Sequence, residues 1–347
     1  MIGLKSIAKT ALALSASGAL LSGCGDASSE GDLGGALPRQ QTLYLSGQQN
    51  DAPGSFNPLA ESWMASWPVG GRFNLMYDKE WYNGMRATIQ LRRERNEGAG
   101  DLFYQPLGAD ALPSADAAQH LKSLTFAEIT AGLQFRPGAN YVNTKQRRLV
   151  TNLDAPIFGL QHTMGLKDVL GGEYRYNFTE ASVYKRFWMR SWGKMDVLVK
   201  GGAQWNKVPF PFLIMPAANL SYIIDTRSFR LIRNMEFLND RYASLILNWD
   251  LNGKLFNRIP LLRELKWREN IGCNVLWGTL TDKNNPYLAQ NAGDGELFYF
   301  PGSFAGNTGY EYSSNVMNPN KPYVEIVAGI HNVFKIVRLE YVHRLNY

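Results

Sequence analysis

The stretch "KMDVLVKGGAQWN" (residues 194–206) decides how the chain is read. Met195, Val197, Val199, Ala203 and Trp205 alternate with Lys194, Asp196, Lys200, Gln204 and Asn206, with Leu198 out of phase. Side chains two residues apart share one face of a strand, so this segment is a strand with one apolar and one charged face. The pattern recurs. In "TFAEITAGLQFR" (residues 125–136), Ala127, Ile129, Ala131, Leu133 and Phe135 oppose Glu128, Thr130, Gln134 and Arg136. In "SLILNWDLNGKLF" (residues 244–256), Leu245, Leu247, Trp249, Leu251 and Leu255 oppose Ser244, Asn248, Asp250, Asn252 and Lys254. In "VRLEYVHRLNY" (residues 337–347), Val337, Leu339, Tyr341, Leu345 and Tyr347 oppose Arg338, Glu340, Arg344 and Asn346.

Two environments produce this alternation. A soluble sandwich buries the apolar face against a second sheet. A membrane barrel turns it to lipid and keeps the charged face in its lumen. Three features tilt toward the barrel. The segments have the length that a tilted strand needs to cross a bilayer. Full charges stand in mid-strand. Tyr and Trp recur near segment ends, at Trp188, Trp192, Trp205, Tyr222, Trp267, Trp277, Tyr323 and Tyr347, as in the aromatic girdles of barrels. The long Gly- and Asn-rich stretch at residues 284–322 reads as an external loop, and residues 114–124, "SADAAQHLKSL", as a short helix. About ten or eleven strands are expected, in an all-β antiparallel transmembrane barrel that is incomplete. An ideal bacterial barrel closes with an even number.

The 347 residues are 45% hydrophobic and 19% charged, with 33 glycines, a net charge of +6 and two cysteines. The basic residues are dispersed, whereas nucleic-acid binding wants a concentrated stripe. Cys24 and Cys273 form no disulfide framework or paired-cysteine metal signature. Cys273 reads as a buried, unreactive thiol. The four histidines, His120, His162, His331 and His343, have no ligand spacing, so no metal is expected. His162 and His331 read as lumenal or interfacial. "LGGEYRYN" lacks the pattern that cradles phosphate, and no nucleophile elbow or P-loop is present. Glu173, Glu180 and Glu236 are carboxylates that could meet in space; Glu236 and Asp240 read as lumenal or as partners of Arg233 and Arg241. Neither catalytic residues nor a cofactor is expected, and the chain is not read as an enzyme.

The first residues tell another story. Lys5 and Lys9 precede the apolar run "TALALSASGALLSG" and then Cys24. The run is too short to span a bilayer. Leu21-Ser22-Gly23-Cys24 resembles the lipobox of bacterial lipoproteins, which implies cleavage before Cys24 and lipidation of its thiol. Residues 41–77, with "TLYLSG" followed by "FNPL", resemble the start of a solute-binding lipoprotein of a peptide-type ABC importer. That resemblance spans too little chain for a two-lobed binding protein, and no ligand residues follow from it.

From about residue 78 onward, "SLTFAEITAGLQFRPGANYV", "NLDAPIFGLQHTMGLKDVLGGEYRYNFTEASVYKRFWM", "WNKVPFPFLIMPAANLSYI", "MEFLNDRYASLILNWDLNGKLFNRIPLLRELKWREN" and "LTDKNNP" together resemble one family. It is an outer-membrane barrel family of unknown function whose full-length members carry an N-terminal carboxypeptidase-like regulatory domain. More distantly the chain is similar to the surface-antigen barrel of outer-membrane assembly and translocation proteins. "VPFPFLIMPAANLSY" falls where those proteins fold a loop back into the lumen, although their Arg-Gly pair is absent. The resemblance implies a Gram-negative outer membrane as location, with outer-membrane lipid and the barrel-assembly machinery as partners. It names no small-molecule ligand.

The organisation expected is a signal peptide at 1–23, a tether with a solute-binding-like fragment at 24–77, and a partial barrel at 78–347. A seam at Tyr77–Asp78 would join two unrelated pieces. Family members also continue into a further strand beyond Tyr347. The alternatives are a lipid-anchored solute-binding protein, recognised by two α/β lobes, and a lipid-displayed β-sandwich.

Overall fold

In the computed structural model, residues 10–16, 73–81, 83–98, 102–110, 112–143, 148–219, 225–305 and 309–347 are described. They form fifteen strands: β1 (Thr10–Ala16), β2 (Phe73–Glu80), β3 (Met85–Glu97), β4 (Ser123–Phe135), β5 (Tyr141–Asn143), β6 (Arg148–Val150), β7 (Ile157–Gly165), β8 (Tyr176–Trp188), β9 (Lys194–Gln204), β10 (Arg241–Asp250), β11 (Arg268–Thr279), β12 (Gly302–Ala305), β13 (Gly309–Tyr312), β14 (Tyr323–Val333) and β15 (Val337–Arg344). Eleven of them make one sheet in the order β1-β15-β14-β11-β10-β9-β8-β7-β4-β3-β2. The ladders are antiparallel throughout, and from β2 to β15 each strand pairs with the next sheet member along the chain. Hairpins β5–β6 and β12–β13 stand outside this sheet. β1 lies within the expected signal segment and pairs with β15 from Thr10↔His343 to Ala16↔Val337. The expected seam at Tyr77–Asp78 falls inside β2, which pairs without a break from Phe73↔Arg93 to Glu80↔Arg86.

The connections divide between two ends. Residues 81–84, 136–156, 189–193, 251–267 and 334–336 join strands at one end, here the turn end. Residues 98–122, 166–175, 205–240 and 280–322 join them at the other, the loop end. The tightest turns need particular backbone. Gly193 closes the β8–β9 turn at φ 77°, where an L side chain is strained. At the loop end two distant connections zip together. The Leu107 amide donates to the Leu297 carbonyl at 2.8 Å, and the Tyr299 amide to the Gln105 carbonyl at 3.1 Å. One zipped loop follows β3 and the other follows β11, six strands along the sheet. A flat sheet could not bring them together, so the sheet is curled around an interior.

Burial along the strands is the reverse of a soluble sheet. On β7, Phe158, Leu160 and Met164 are exposed, while Gln161 and Thr163 are buried. On β4 and β3, Leu133, Phe135 and Ile89 are exposed while Glu128, Gln90, Arg92 and Glu94 are buried. On β11 and β14, Ile271, Trp277 and Ile326 are exposed while Asn274 and Glu325 are buried. Burying one large apolar side chain in water stabilises by about 1.5–3 kcal/mol. A continuous apolar band left outside wastes that many times over, unless lipid is its solvent. No helix among the described residues is long and apolar enough to cross a membrane.

The alternation in four of the expected strands therefore has its apolar side outward. Its limits differ at the ends. β10 stops at Asp250, so Leu251 and Leu255 belong to the following connection and Leu251 is buried. Tyr323 and Tyr347 are no girdle residues: Tyr323 points inward and is fully buried, and Tyr347, past the end of β15, packs against the buried Phe237. Trp188, Trp192, Trp205 and Trp277 are exposed as a girdle requires, and Tyr222 lies outside the described residues. The expected helix at 114–124 is a single 3-10 turn, Ala117–Gln119, capped by the Asp116 carboxylate; Ser123 and Leu124 already belong to β4.

Candidate functional site: a pinned loop in the lumen

The described residues of the β9–β10 connection, 205–219 and 225–240, fill the interior. Val208, Phe210, Phe212, Leu213 and Met215 pack with Phe126 of β4 and Tyr176 of β8. Phe229, Ile232 and Phe237 pack with Phe178 of β8, Leu276 of β11 and Tyr323 of β14. Apolar lumenal side chains stand at those strand positions. They are where the loop sits. The 3-10 turn Phe210–Phe212 begins after Pro209, which fixes the entry, and all three of its residues are buried.

Inside the barrel, several of the buried charges are paired, as burial demands. The Arg92 Nε donates to Glu128 at 2.8 Å within an ion pair, and the Tyr176 hydroxyl donates to the other Glu128 oxygen at 2.7 Å. Arg186 grips Asp196 with two bonds of 2.7 and 3.0 Å. Tyr242 donates to Glu180.

The last two strands hold the loop itself. Glu325 on β14 accepts from Asn274 at 2.6 Å and from Tyr323 at 2.8 Å. It also accepts two backbone amides of the loop, Arg230 at 2.8 Å and Leu231 at 3.2 Å. The Arg230 side chain reaches Glu340 on β15 at 3.3 Å and bonds its own turn through the Asp225 and Ser228 carbonyls, both at 2.6 Å. Arg338 and Asn270 also serve Glu340. Glu325 and Glu340 are 0% and 1% exposed. A third pin joins Arg344 of β15 to Glu236 at 2.7 Å. Asp240 at the loop's exit is bonded by Thr281 and Asn284.

The residues singled out from sequence fall as follows. Cys24 lies outside the described residues. The histidines are separate: His120 in a loop stacked on Phe103, His162 on the outer face against Thr179, His331 inside near Asp250, and His343 outside against Tyr341. No group able to hold a metal occurs among the described residues. His162 is thus outward, not lumenal. Cys273 is on the outer face and half exposed rather than buried. Glu173, Glu180 and Glu236 do not meet; Glu173 receives the Thr125 amide. Glu236 pairs with Arg344, and from Arg233 its carboxylate accepts the backbone amide rather than the side chain. Asp240 ignores Arg241, because Arg241 has the outward parity of β10. Arg230 and Glu325 were not singled out. The readable signal was a carboxylate in mid-strand within "YVEIVAG", but its loop partner has no fixed sequence distance.

The family described as "Family of unknown function (DUF5686) C-terminal domain" matches residues 72–293. That match begins before the expected boundary at residue 78. Among solved structures, Pseudomonas aeruginosa OpdO is similar at 10% identity and a TM-score of 0.23, over 78% of this chain and 67% of that one. Pseudomonas aeruginosa OccK11 (OpdR) is similar at the same identity and score, over 78% and 70%. Those scores leave the architecture to be argued from the strands themselves. No curated protein matches the chain.

Proposed function

We propose that this chain, which belongs to the family of unknown function DUF5686, works as a non-enzymatic outer-membrane β-barrel with a plugged lumen, in membrane assembly or transport. The observation that carries the reading is the reversed burial of the strands: apolar side chains outside, ionised ones inside. The buried pins favour a loop that stays in place until something displaces it, rather than a permanently open pore. Lipidation of Cys24 belongs to the same proposal as a second attachment, tested by the mass of the amino-terminal peptide.

The test is a gel and a planar bilayer. The folded protein in detergent migrates differently before and after boiling, and partitions with outer-membrane fractions. It conducts little as wild type. A chain carrying Arg230→Met together with Glu325→Ala opens more often. A soluble, monodisperse protein without detergent would overturn the reading.

A further inference from the structure

The β10–β11 connection at the turn end lies against the outer face of the sheet. The Leu251 amide donates to the Glu269 carbonyl at 3.1 Å, and the Leu255 amide to a Glu269 side-chain oxygen at 2.6 Å. Glu269 shares its parity on β11 with Ile271, Cys273 and Trp277, the outward set, so the connection crosses the edge of the apolar band. Beside it, Trp249 donates its indole N–H to the Trp192 carbonyl at 2.9 Å, and the Lys254 ammonium lies 5.2 Å from the Trp192 ring centre. The connection then forms the short helix α1 (Pro260–Leu265). Leu255, Ile259, Leu261 and Leu265 are exposed, Leu261 to 71%. Among them stand Lys254, Arg258, Arg263 and Lys266, with Glu264 the one acidic side chain in residues 251–267. Exposed leucines interleaved with cations are costly in water and favourable at the boundary of acyl chains and anionic headgroups.

We propose that residues 254–267 form an interfacial membrane element. Its leucines enter the bilayer boundary at the turn end, and its cations bind anionic phospholipid headgroups. The surface is continuous with the outward band through Trp192 and Trp249, and its charge complements the lipid. The proposal rests on the barrel reading, since only a membrane at that height meets the helix.

The test places an environment-sensitive dye on Leu261→Cys in the full chain, with Cys24 and Cys273 replaced by serine. A second sample carries the dye on Leu160→Cys as the reference for the outer band. Both are folded into phosphatidylethanolamine vesicles with and without phosphatidylglycerol. The Leu261 dye is expected to be quenched by lipid labelled near the headgroup and shielded from iodide, more strongly with phosphatidylglycerol. Arg258→Gln, Arg263→Gln and Lys266→Gln together reduce that quenching several-fold. A Leu261 dye open to iodide and untouched by labelled lipid overturns the proposal while the Leu160 dye is lipid-quenched. Lipid quenching indifferent to phosphatidylglycerol overturns the headgroup role. A Leu160 dye in water overturns the barrel and this element with it.

Discussion

Replacing Arg230 by methionine keeps the length of the side-chain stem and removes its charge. In the folded protein Glu340 then loses one of three partners, Arg338 and Asn270 remaining. The Asp225 and Ser228 carbonyls lose the cation that ties their turn. Removing one member of a buried ion pair costs about 3–5 kcal/mol. The surviving partners of Glu340 put this case at the lower edge, about 3 kcal/mol. The loss falls on the pinned loop more than on the strands, because β14 and β15 keep their ladder. At about 1.4 kcal/mol per decade, the population of released loop rises by roughly 150-fold. Proteolysis reads that population when reclosing outruns cleavage. The assay is limited digestion of the folded protein in detergent, with cut sites mapped by mass. Cuts within residues 205–240 accelerate by about two decades in Arg230→Met. Arg230→Lys falls between, since an ammonium cannot serve Glu340 and both carbonyls in the same fork geometry. A wild-type cutting rate in Arg230→Met, or new cuts spread through the strands, would refute the pinned-loop reasoning.

Three further outcomes are expected. Gly193→Ala costs about 2–4 kcal/mol in urea midpoint experiments on folding into vesicles, because φ there is positive and a Cβ would lie 2.0 Å from the Asp250 carbonyl oxygen. Leu160→Arg costs about 2–4 kcal/mol in the same assay, as an arginine on the lipid face should; a soluble sheet would lose almost nothing at a side chain that is 53% exposed. In alkaline titration followed by phenolate absorbance, Tyr174 ionises late, its pKa pushed up to about 12 by burial and by the nearby Glu173 carboxylate. Its folded value lies above its unfolded one, so the stability it contributes is whole below pH 10 and is lost as pH rises through about 12. Tyr174→Phe removes that alkaline loss.

The strands were legible because alternation is local: two residues apart is one face, whatever the face meets. The direction of the faces was legible only as a tilt, because period two is the same in a sandwich and in a barrel. What separates them is which side is covered, and that is a fact of the whole sheet. The loop in the lumen was legible as a place, from "VPFPFLIMPAANLSY", but not as a mechanism. Glu325 is recognisable alone, whereas Arg230 lies 95 residues away and becomes its partner only once β14 passes the loop. Tyr323 misled for the same reason. An aromatic at a strand end marks a lipid interface if it points out and a core if it points in, and its parity places it inward against Phe229 and Phe237. Residues 251–256 read as the end of a strand rather than as part of a connection. The exposed leucines gained meaning only when Glu269 showed on which side of the sheet they lie.

The central claim is that the charged faces look inward and the apolar faces look at lipid. A nitroxide scan along β9, one cysteine at a time from residue 194 to residue 204 in vesicles, tests it directly through collision with oxygen and with a water-soluble nickel complex. Strict alternation is expected: 195, 197, 199, 201 and 203 open to oxygen and closed to nickel, with the even positions less open to oxygen. Odd positions that meet nickel as freely as an aqueous surface would contradict it.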